Sequence, residues 1–391
     1  MTTTTNTTTN TVEPAQHDVI PFTLDVPDSE LAALRARLLA TRWPDAETVE
    51  DTSQGPRLAT LQRLVHHWAT DYDWRRAERA LNGLGQHKTT IDGLDIHFLH
   101  VRSPAPDAVP ILLTHGWPGS VLEFRGLVDL LVDEYHLVIP SLPGFGFSGR
   151  PTTPGWDLRR TARAWAALMA RLGYDRWFAQ GGDLGAAVTE EIAVLPGTGL
   201  VGMHLNMAIF PPTPQEVADA DADERRMLAE AEHYQRVLSA YAQQMSTRPQ
   251  TIGYSLADSP AGLAAWIYGL VQDVTGTHDE HGDPERHIAL DELIDGIMLH
   301  WLPGTATSAA RMYWEMANGR WAPPSARGPV PLPTGVTVMP GEYARKSLRW
   351  TQRRYPNLVR FAELPRGGHF AALEQPELLA AEIKHTFGAL R

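Results

Sequence analysis

Between residues 87 and 209 the chain alternates short apolar runs with longer helix-period stretches, and this limits the fold more than any other feature. Residues 87–91 and 94–101, joined by Asp92-Gly93, read as a β-hairpin. Apolar runs follow at 109–113, 136–140, 176–180 and 200–209, most bounded by Gly or Pro and separated by helical stretches such as 158–172. That is the pattern of βαβ units on a parallel sheet covered on both faces, an α/β fold. Then the alternation stops. Residues 221–245 read as one long helix, and 261–271, 290–300 and 307–316 as further helices with no strand between them. A Pro-rich segment, 322–333, closes this block, and a strand at 335–339, a helix near 347–353, a strand at 358–364 and a final helix at 376–387 resume the alternation. The helical block is thus an insertion into the sheet domain. Placed over the carboxyl ends of the strands, where open α/β sheets bind ligands, it would serve as a lid.

Ahead of the sheet lies a mainly helical extension. Leu31, Leu34, Leu38 and Leu39 recur at helical spacing behind an Asp28/Ser29 cap, and Pro44 ends the pattern. A second run, 58–72, carries Leu61, Leu64, Val65 and Trp68 on one face, and a short charged helix follows at 74–81. Nothing in these helices clusters as chemistry, so packing is their expected role. The threonine-rich start reads as a frayed tail to about Glu13. The division expected is a tail (1–14), a helical extension (15–86), a first core part (87–211), a helical cap (212–328) and a second core part (329–391).

Composition narrows the partners. A net charge of −12 argues against a nucleic-acid or anionic-membrane surface. The absence of cysteine excludes disulfides, thiolate metal sites and a cysteine nucleophile. No stretch approaches ~18 uninterrupted apolar residues, and the start lacks a signal-peptide pattern. A soluble cytoplasmic chain is expected, with a homodimer compatible with everything above.

Chemistry concentrates in four segments. Gln180-Gly181-Gly182-Asp183-Leu184-Gly185 joins a predicted strand to a helix with the small-x-nucleophile-x-small spacing of a nucleophile elbow, Asp183 standing where serine is usual. Thr114-His115-Gly116-Trp117-Pro118-Gly119-Ser120 follows another strand, where such a hydrolase places an oxyanion donor, so the amides of Trp117 and Leu184 would converge. His115 reads as a loop-fixing residue rather than a base. Gly367-Gly368-His369-Phe370 follows the last strand and supplies the candidate base, His369. Met339-Pro340-Gly341-Glu342 supplies a carboxylate to orient it, with Glu363 as a poorer-placed rival. Two decoys are set aside. Gly144-Phe145-Gly146-Phe147-Ser148-Gly149 matches a dinucleotide fingerprint, but Arg150-Pro151 stands where the phosphate-binding helix should begin. His278, Asp279, Glu280, His281 and His287 suggest a metal cluster, but with Gly282 and Pro284 among them they read as a solvated loop.

An aspartate nucleophile attacks a saturated carbon bearing a leaving group, and the resulting ester is hydrolysed by water that His369 activates. An epoxide oxygen needs proton donors as it leaves; a halide needs weak indole or amide donors. Here the chain resembles the microsomal-type epoxide hydrolases, from about Val19 to the C-terminus. The motifs are Thr41-Arg42-Trp43-Pro44-Asp45, Tyr72-Asp73-Trp74-Arg75, the His115 and Asp183 segments, Asp258-Ser259-Pro260-Ala261-Gly262-Leu263 and Gly367-Gly368-His369-Phe370. The resemblance implies an α/β-hydrolase core with a helical cap and an N-terminal meander. It implies Asp183 as nucleophile, Glu342 and His369 as its charge partners, and two cap tyrosines holding the epoxide oxygen, matched by their neighbourhoods to Tyr241 and Tyr313. Leu184 stands where the family commonly has Trp, and the N-terminal membrane helix of some members has no counterpart. The expected activity is hydrolysis of an apolar epoxide to a vicinal diol without metal or organic cofactor. A haloalkane dehalogenase, a ring-opening or cyclising biosynthetic enzyme and a non-catalytic binding protein on the same fold remain alternatives.

Overall fold

The computed structural model describes residues 18–319 and 328–391. The tail expected to fray lies outside them, as do residues 322–327 of the Pro-rich segment. The described residues form one sheet from β1 (Ile20–Pro21), β2 (Gln86–Ile91), β3 (Leu94–Val101), β4 (Val109–Thr114), β5 (Tyr135–Pro140), β6 (Trp177–Gly181), β7 (Leu200–Leu205), β8 (Thr334–Val338) and β9 (Leu358–Glu363). Their order is β1-β2-β3-β5-β4-β6-β7-β8-β9. β1, β2, β3 and β5 pair antiparallel in turn, and every pairing from β5 through β4 to β9 is parallel.

Neighbouring residues of a strand point to opposite faces, so a run buried at every position needs cover on both. Ile111, Leu112 and Leu113 of β4, Leu137, Val138 and Ile139 of β5, and Trp177, Phe178 and Ala179 of β6 are all buried. Helix Leu158–Arg171 packs on helix Asp183–Ala193, and helix Pro376–Gly388 on helix Arg125–Leu131. Phe387 anchors the last helix by stacking on Phe178, ring centroids 4.3 Å apart. This is the doubly covered α/β core that the alternation implied, with the helical insertion and the helical N-terminal extension that the resemblance to an α/β-hydrolase implied.

Three local expectations need correction. The run at 200–209 is a strand only to Leu205. The first helix starts at Asp28 itself, after Pro27 and without a side-chain cap; the Asp28 carboxylate pairs with Arg75 instead. The single helix expected over 221–245 is broken into Ala222–His233, a π-turn at Tyr234–Leu238, and Ala240–Thr247. At the break, the Ser239 amide reaches back to the Tyr234 carbonyl at 2.9 Å and the Ser239 hydroxyl donates to the Gln235 carbonyl at 2.7 Å. A hydroxyl competing for main-chain carbonyls is a usual cause of such breaks. Unforeseen elements include β1 and the helix Pro249–Asp258, which opens on a proline like its neighbour Pro260–Val274.

The insertion meets the loops beyond the carboxyl ends of β4, β5 and β9. His300 Nε2 lies 2.9 Å from the Pro118 carbonyl, the Ser308 hydroxyl donates to the Gly144 carbonyl at 2.6 Å, and the His369 amide donates to the Val274 carbonyl at 2.9 Å. The extension grips the insertion from outside. Tyr72 donates to Asp295 at 2.6 Å, Arg76 donates to both Asp295 oxygens at 2.8 Å, and His67 Nε2 lies 2.7 Å from Asp291.

Candidate active site

β6 passes through Gly181-Gly182 into helix Asp183–Ala193, and Asp183, its first residue, has φ +48°. A non-glycine residue in this left-handed region is strained by roughly 1–2 kcal/mol, so its surroundings must hold it there. They do so from two sides. A Cβ on Gly185 would come within 1.9 Å of the Thr114 carbonyl oxygen, so the helix lies directly against the end of β4. The Trp117 amide, in the loop after β4, donates to Asp183 Oδ1 at 2.8 Å, and the Leu184 amide also bonds to the carboxylate. Burial pushes the Asp183 carboxyl above the usual aspartate range, while nearby His369 and the two amides hold it back.

The loop carrying Trp117 is fixed from beneath by His115. The Leu142 amide donates to its Nε2 at 3.1 Å, which leaves the proton on Nδ1 to donate to the Gly116 carbonyl at 3.0 Å. Burial lowers His115 to about 4, so it stays neutral. With both ring nitrogens occupied it fixes the loop, as expected.

His369 arrives on the loop after β9, flanked by two carboxylates. Its Nδ1 lies 2.7 Å from Glu342 Oε2, and its Nε2 lies 3.8 Å from Asp183 Oδ2. Burial opposes a charged imidazole, but Glu342, then Asp183 and Glu123, outweigh it and raise His369 to about 9. Glu342 is buried too, which favours its neutral form, yet His369 and the Ala344 amide hold it below the usual glutamate value. Glu363, the rival acid, is exposed at the end of β9. Beyond Glu342, Arg345 Nε donates to Glu230 at 3.1 Å, while Ser347 and Arg349 both hold Glu224. Glu224 and Glu230 belong to the insertion's helix Ala222–His233.

Tyr241, on helix Ala240–Thr247, and Tyr313, on helix Ala306–Asn318, approach edge to face with ring centroids 6.1 Å apart. Burial, reinforced by the negative charge of Asp183, pushes both phenols well above 10, so both keep their protons. The structure therefore brings together Asp183, His369, Glu342, the amides of Trp117 and Leu184, and both tyrosines.

Sequence reasoning missed three neighbours. Tyr234, on the π-turn, has its hydroxyl 2.6 Å from that of Tyr241; the seven-residue spacing of the pair was a signal for it. Glu374 accepts from the amides of Gly276, Gly368 and Phe370 at 2.8, 2.8 and 2.9 Å, tying the His369 loop to the end of helix Pro260–Val274. Glu123 lines a small chamber with Asp183 and His369. A larger groove between the insertion and the 146–156 segment does not have Asp183 in its wall.

The glycine-rich decoy is a closed loop in which the Gly144 amide donates to the Gly149 carbonyl at 2.9 Å, and the next helix starts only at Leu158. The His278 segment is not the solvated loop expected. His278 and His281 are half-buried against Tyr343, with ring centroids 4.7 and 5.4 Å from its ring, because burial of these rings outweighs their polarity. Among the described residues no group of three His, Asp or Glu side chains is placed to hold a metal ion.

Residues 19–124 match the family described as epoxide hydrolase N terminus, and residues 109–194 the α/β hydrolase fold. A Stigmatella aurantiaca protein named "Putative epoxide hydrolase" is 50% identical over 95% of this chain and 86% of its own. Epoxide hydrolase 1 of Sus scrofa is 33% identical over 95% of this chain and 88% of its own. The crystal structure of juvenile hormone epoxide hydrolase from the silkworm Bombyx mori superposes with a TM-score of 0.88 at 29% identity, covering 96% of this chain and 95% of that one. The Aspergillus niger epoxide hydrolase gives 0.85 at 30% identity, covering 96% and 97%. These findings correct the microsomal label drawn from the motifs. The family descriptions carry no such restriction, the silkworm and fungal structures share the whole architecture, and no helix among the described residues is long and apolar enough to cross a membrane.

Proposed function

Because this chain belongs to the epoxide hydrolases of the α/β-hydrolase fold, we propose that it opens an epoxide to a vicinal diol through a covalent ester on Asp183. The observation that carries the reading is the division of labour within one carboxylate. Oδ1 is bound by the Trp117 amide, while Oδ2 faces His369 Nε2 at 3.8 Å, beyond hydrogen-bond distance of that ring. Oδ2 attacks an epoxide carbon, the carbon–oxygen bond breaks, and the departing oxygen takes a proton from Tyr241 or Tyr313. Water then attacks Asp183 Cγ as His369 Nε2 removes its proton. The charge that gathers on Oδ1 meets the Trp117 amide already bound to it, with the Leu184 amide on the same carboxylate. Collapse expels the diol oxygen, which takes the proton from His369, and the proton left on Asp183 returns to the tyrosinate. The balance closes with water alone.

The charges time the two steps. With Asp183 ionised, His369 is held near 9 and is charged at neutral pH. Esterification removes the Asp183 charge, so the imidazole releases its proton to solvent more readily at the stage where it must act as base, and takes one back from solvent when Asp183 ionises again at the end of the cycle. Two buried, protonated phenols that feel the Asp183 charge favour an epoxide oxygen over a halide as leaving group. The substrate is an apolar small epoxide, the insertion over 212–328 acts as cap, and the protein works in the cytoplasm.

The test is single turnover in ¹⁸O-labelled water. First-turnover diol carries unlabelled oxygen from Asp183, and His369→Gln accumulates substrate mass on the peptide containing Asp183. Solvent label in the first diol overturns the proposal, and halide release without diol formation makes the chain a dehalogenase.

A further inference from the structure

Glu123 lies in the 3-10 turn Val121–Phe124, and among the described residues its carboxyl has no hydrogen-bond partner. The turn places it against Gly119, where a Cβ would stand 2.0 Å from Glu123 Oε2. The loop after β4 thus gives way to two carboxylates, to Asp183 at Gly116 and to Glu123 at Gly119. The Glu123 carboxyl faces a chamber walled also by Gly116, Gly119, Asp183, Asn206 and His369, which leaves about 20 Å³ open to the centre of a water molecule. One water needs roughly 10–15 Å³ by this measure and two to four polar partners. Neither Tyr241 nor Tyr313 lines the chamber, so it is separate from the phenols that receive the epoxide oxygen. Glu123 also borders a larger cavity between the core and helices Pro260–Val274 and Leu290–Trp301. Burial pushes the Glu123 carboxyl up to about 8, and His369 and Asp183 are the charges it feels, with opposite signs.

We propose that Glu123 is a further catalytic residue: with His369 it holds the water that hydrolyses the Asp183 ester. The inference rests on the covalent mechanism above and concerns only its second half. One water proton passes to His369 Nε2, the other is held by a Glu123 oxygen, and the water oxygen bonds to Asp183 Cγ. The bond from Cγ to the substrate oxygen then breaks, and that oxygen takes the proton from His369. Glu123 finishes the cycle in the protonation state in which it began.

The experiment is rapid chemical quench of Glu123→Gln and Glu123→Asp with an excess of a styrene-oxide-type epoxide, read by mass of the Asp183 peptide. Ester formation is expected to stay within about twofold of the parent, as removal of a group acting only later requires. Ester hydrolysis is expected to fall by about 100-fold in Glu123→Gln, the lower end of general acid–base effects, and by less in Glu123→Asp. The ester therefore becomes the steady-state form of the Gln variant, and kcat falls together with KM. Hydrolysis at the parent rate in both variants overturns the inference, as does equal slowing of both steps, the mark of a packing role. Should Glu123→Gln not fold, Glu123→Asp alone decides, by slowed hydrolysis with unchanged ester formation or by its absence. Failure of the mechanism itself looks different: His369→Gln, run alongside, then yields no ester at all.

Discussion

A methyl group on Gly116 would lie 2.1 Å from Asp183 Oδ1, so this glycine and the carboxylate compete for one space. Gly116→Ala is therefore expected to push the carboxylate off the Trp117 amide. Losing one such donor costs about 10²–10³-fold in kcat. Ester formation by rapid quench should fall accordingly while the circular dichroism spectrum stays that of the parent. Unchanged kcat would mean that the carboxylate acts from another position.

The tyrosine pair predicts a split between half-reactions. On the proposed mechanism Tyr241→Phe and Tyr313→Phe each remove one donor to the epoxide oxygen, and the double variant removes both. The double variant should lose about 10²–10⁴-fold in the rate of ester formation, the usual worth of a general acid. Hydrolysis of ester already formed should change little. Tyr234→Phe, one hydroxyl further away, should cost far less, because its partner is Tyr241 at 2.6 Å.

The two steps should also part in their dependence on pH. Ester formation needs Asp183 charged, and burial raises its pKa, so this step weakens on acidification earlier than an ordinary aspartate would allow. Ester hydrolysis needs His369 neutral, so its rate rises with pH. Glu342 and Asp183 hold His369 near 9 in the free enzyme, and the Asp183 contribution vanishes in the ester. The midpoint of this rising limb for hydrolysis is thus expected below about 9, and stopped-flow measurement placing it at 9 or above would refute the argument.

Stability offers a test away from the chemistry. Arg354 and Glu190 pair at 2.8 Å with each side chain only 2% exposed, and Tyr355 donates to the same carboxylate. Removing one partner strands a buried charge, so Arg354→Met should cost about 3–5 kcal/mol, read from urea midpoints. Adding Glu190→Leu should restore part of that loss, since an apolar pair needs no charge compensation.

The central strands and the Asp183 elbow were legible because burial on both faces writes unbroken apolar runs and a sharp turn writes small residues. His369 and Glu342 were legible through their places after strands. Tyr234 and Glu123 were not, since what singles them out is what stands opposite them across the fold. The broken helix at Ser239 shows the same limit locally: apolar periodicity continues through a hydroxyl that diverts the backbone. The microsomal label failed differently, because motifs common to a broad family were taken to mark one branch.

The ion pairs joining Arg345 to Glu230 and Arg349 to Glu224 bolt the roof of the site to the stretch that begins at Glu342. A roof swung aside as one piece would drag that stretch along and loosen the imidazole from its carboxylate. Admission of substrate by so large a motion would leave the machinery disarmed until the roof settled again, a safeguard against spending the reactive ester on a half-open chamber.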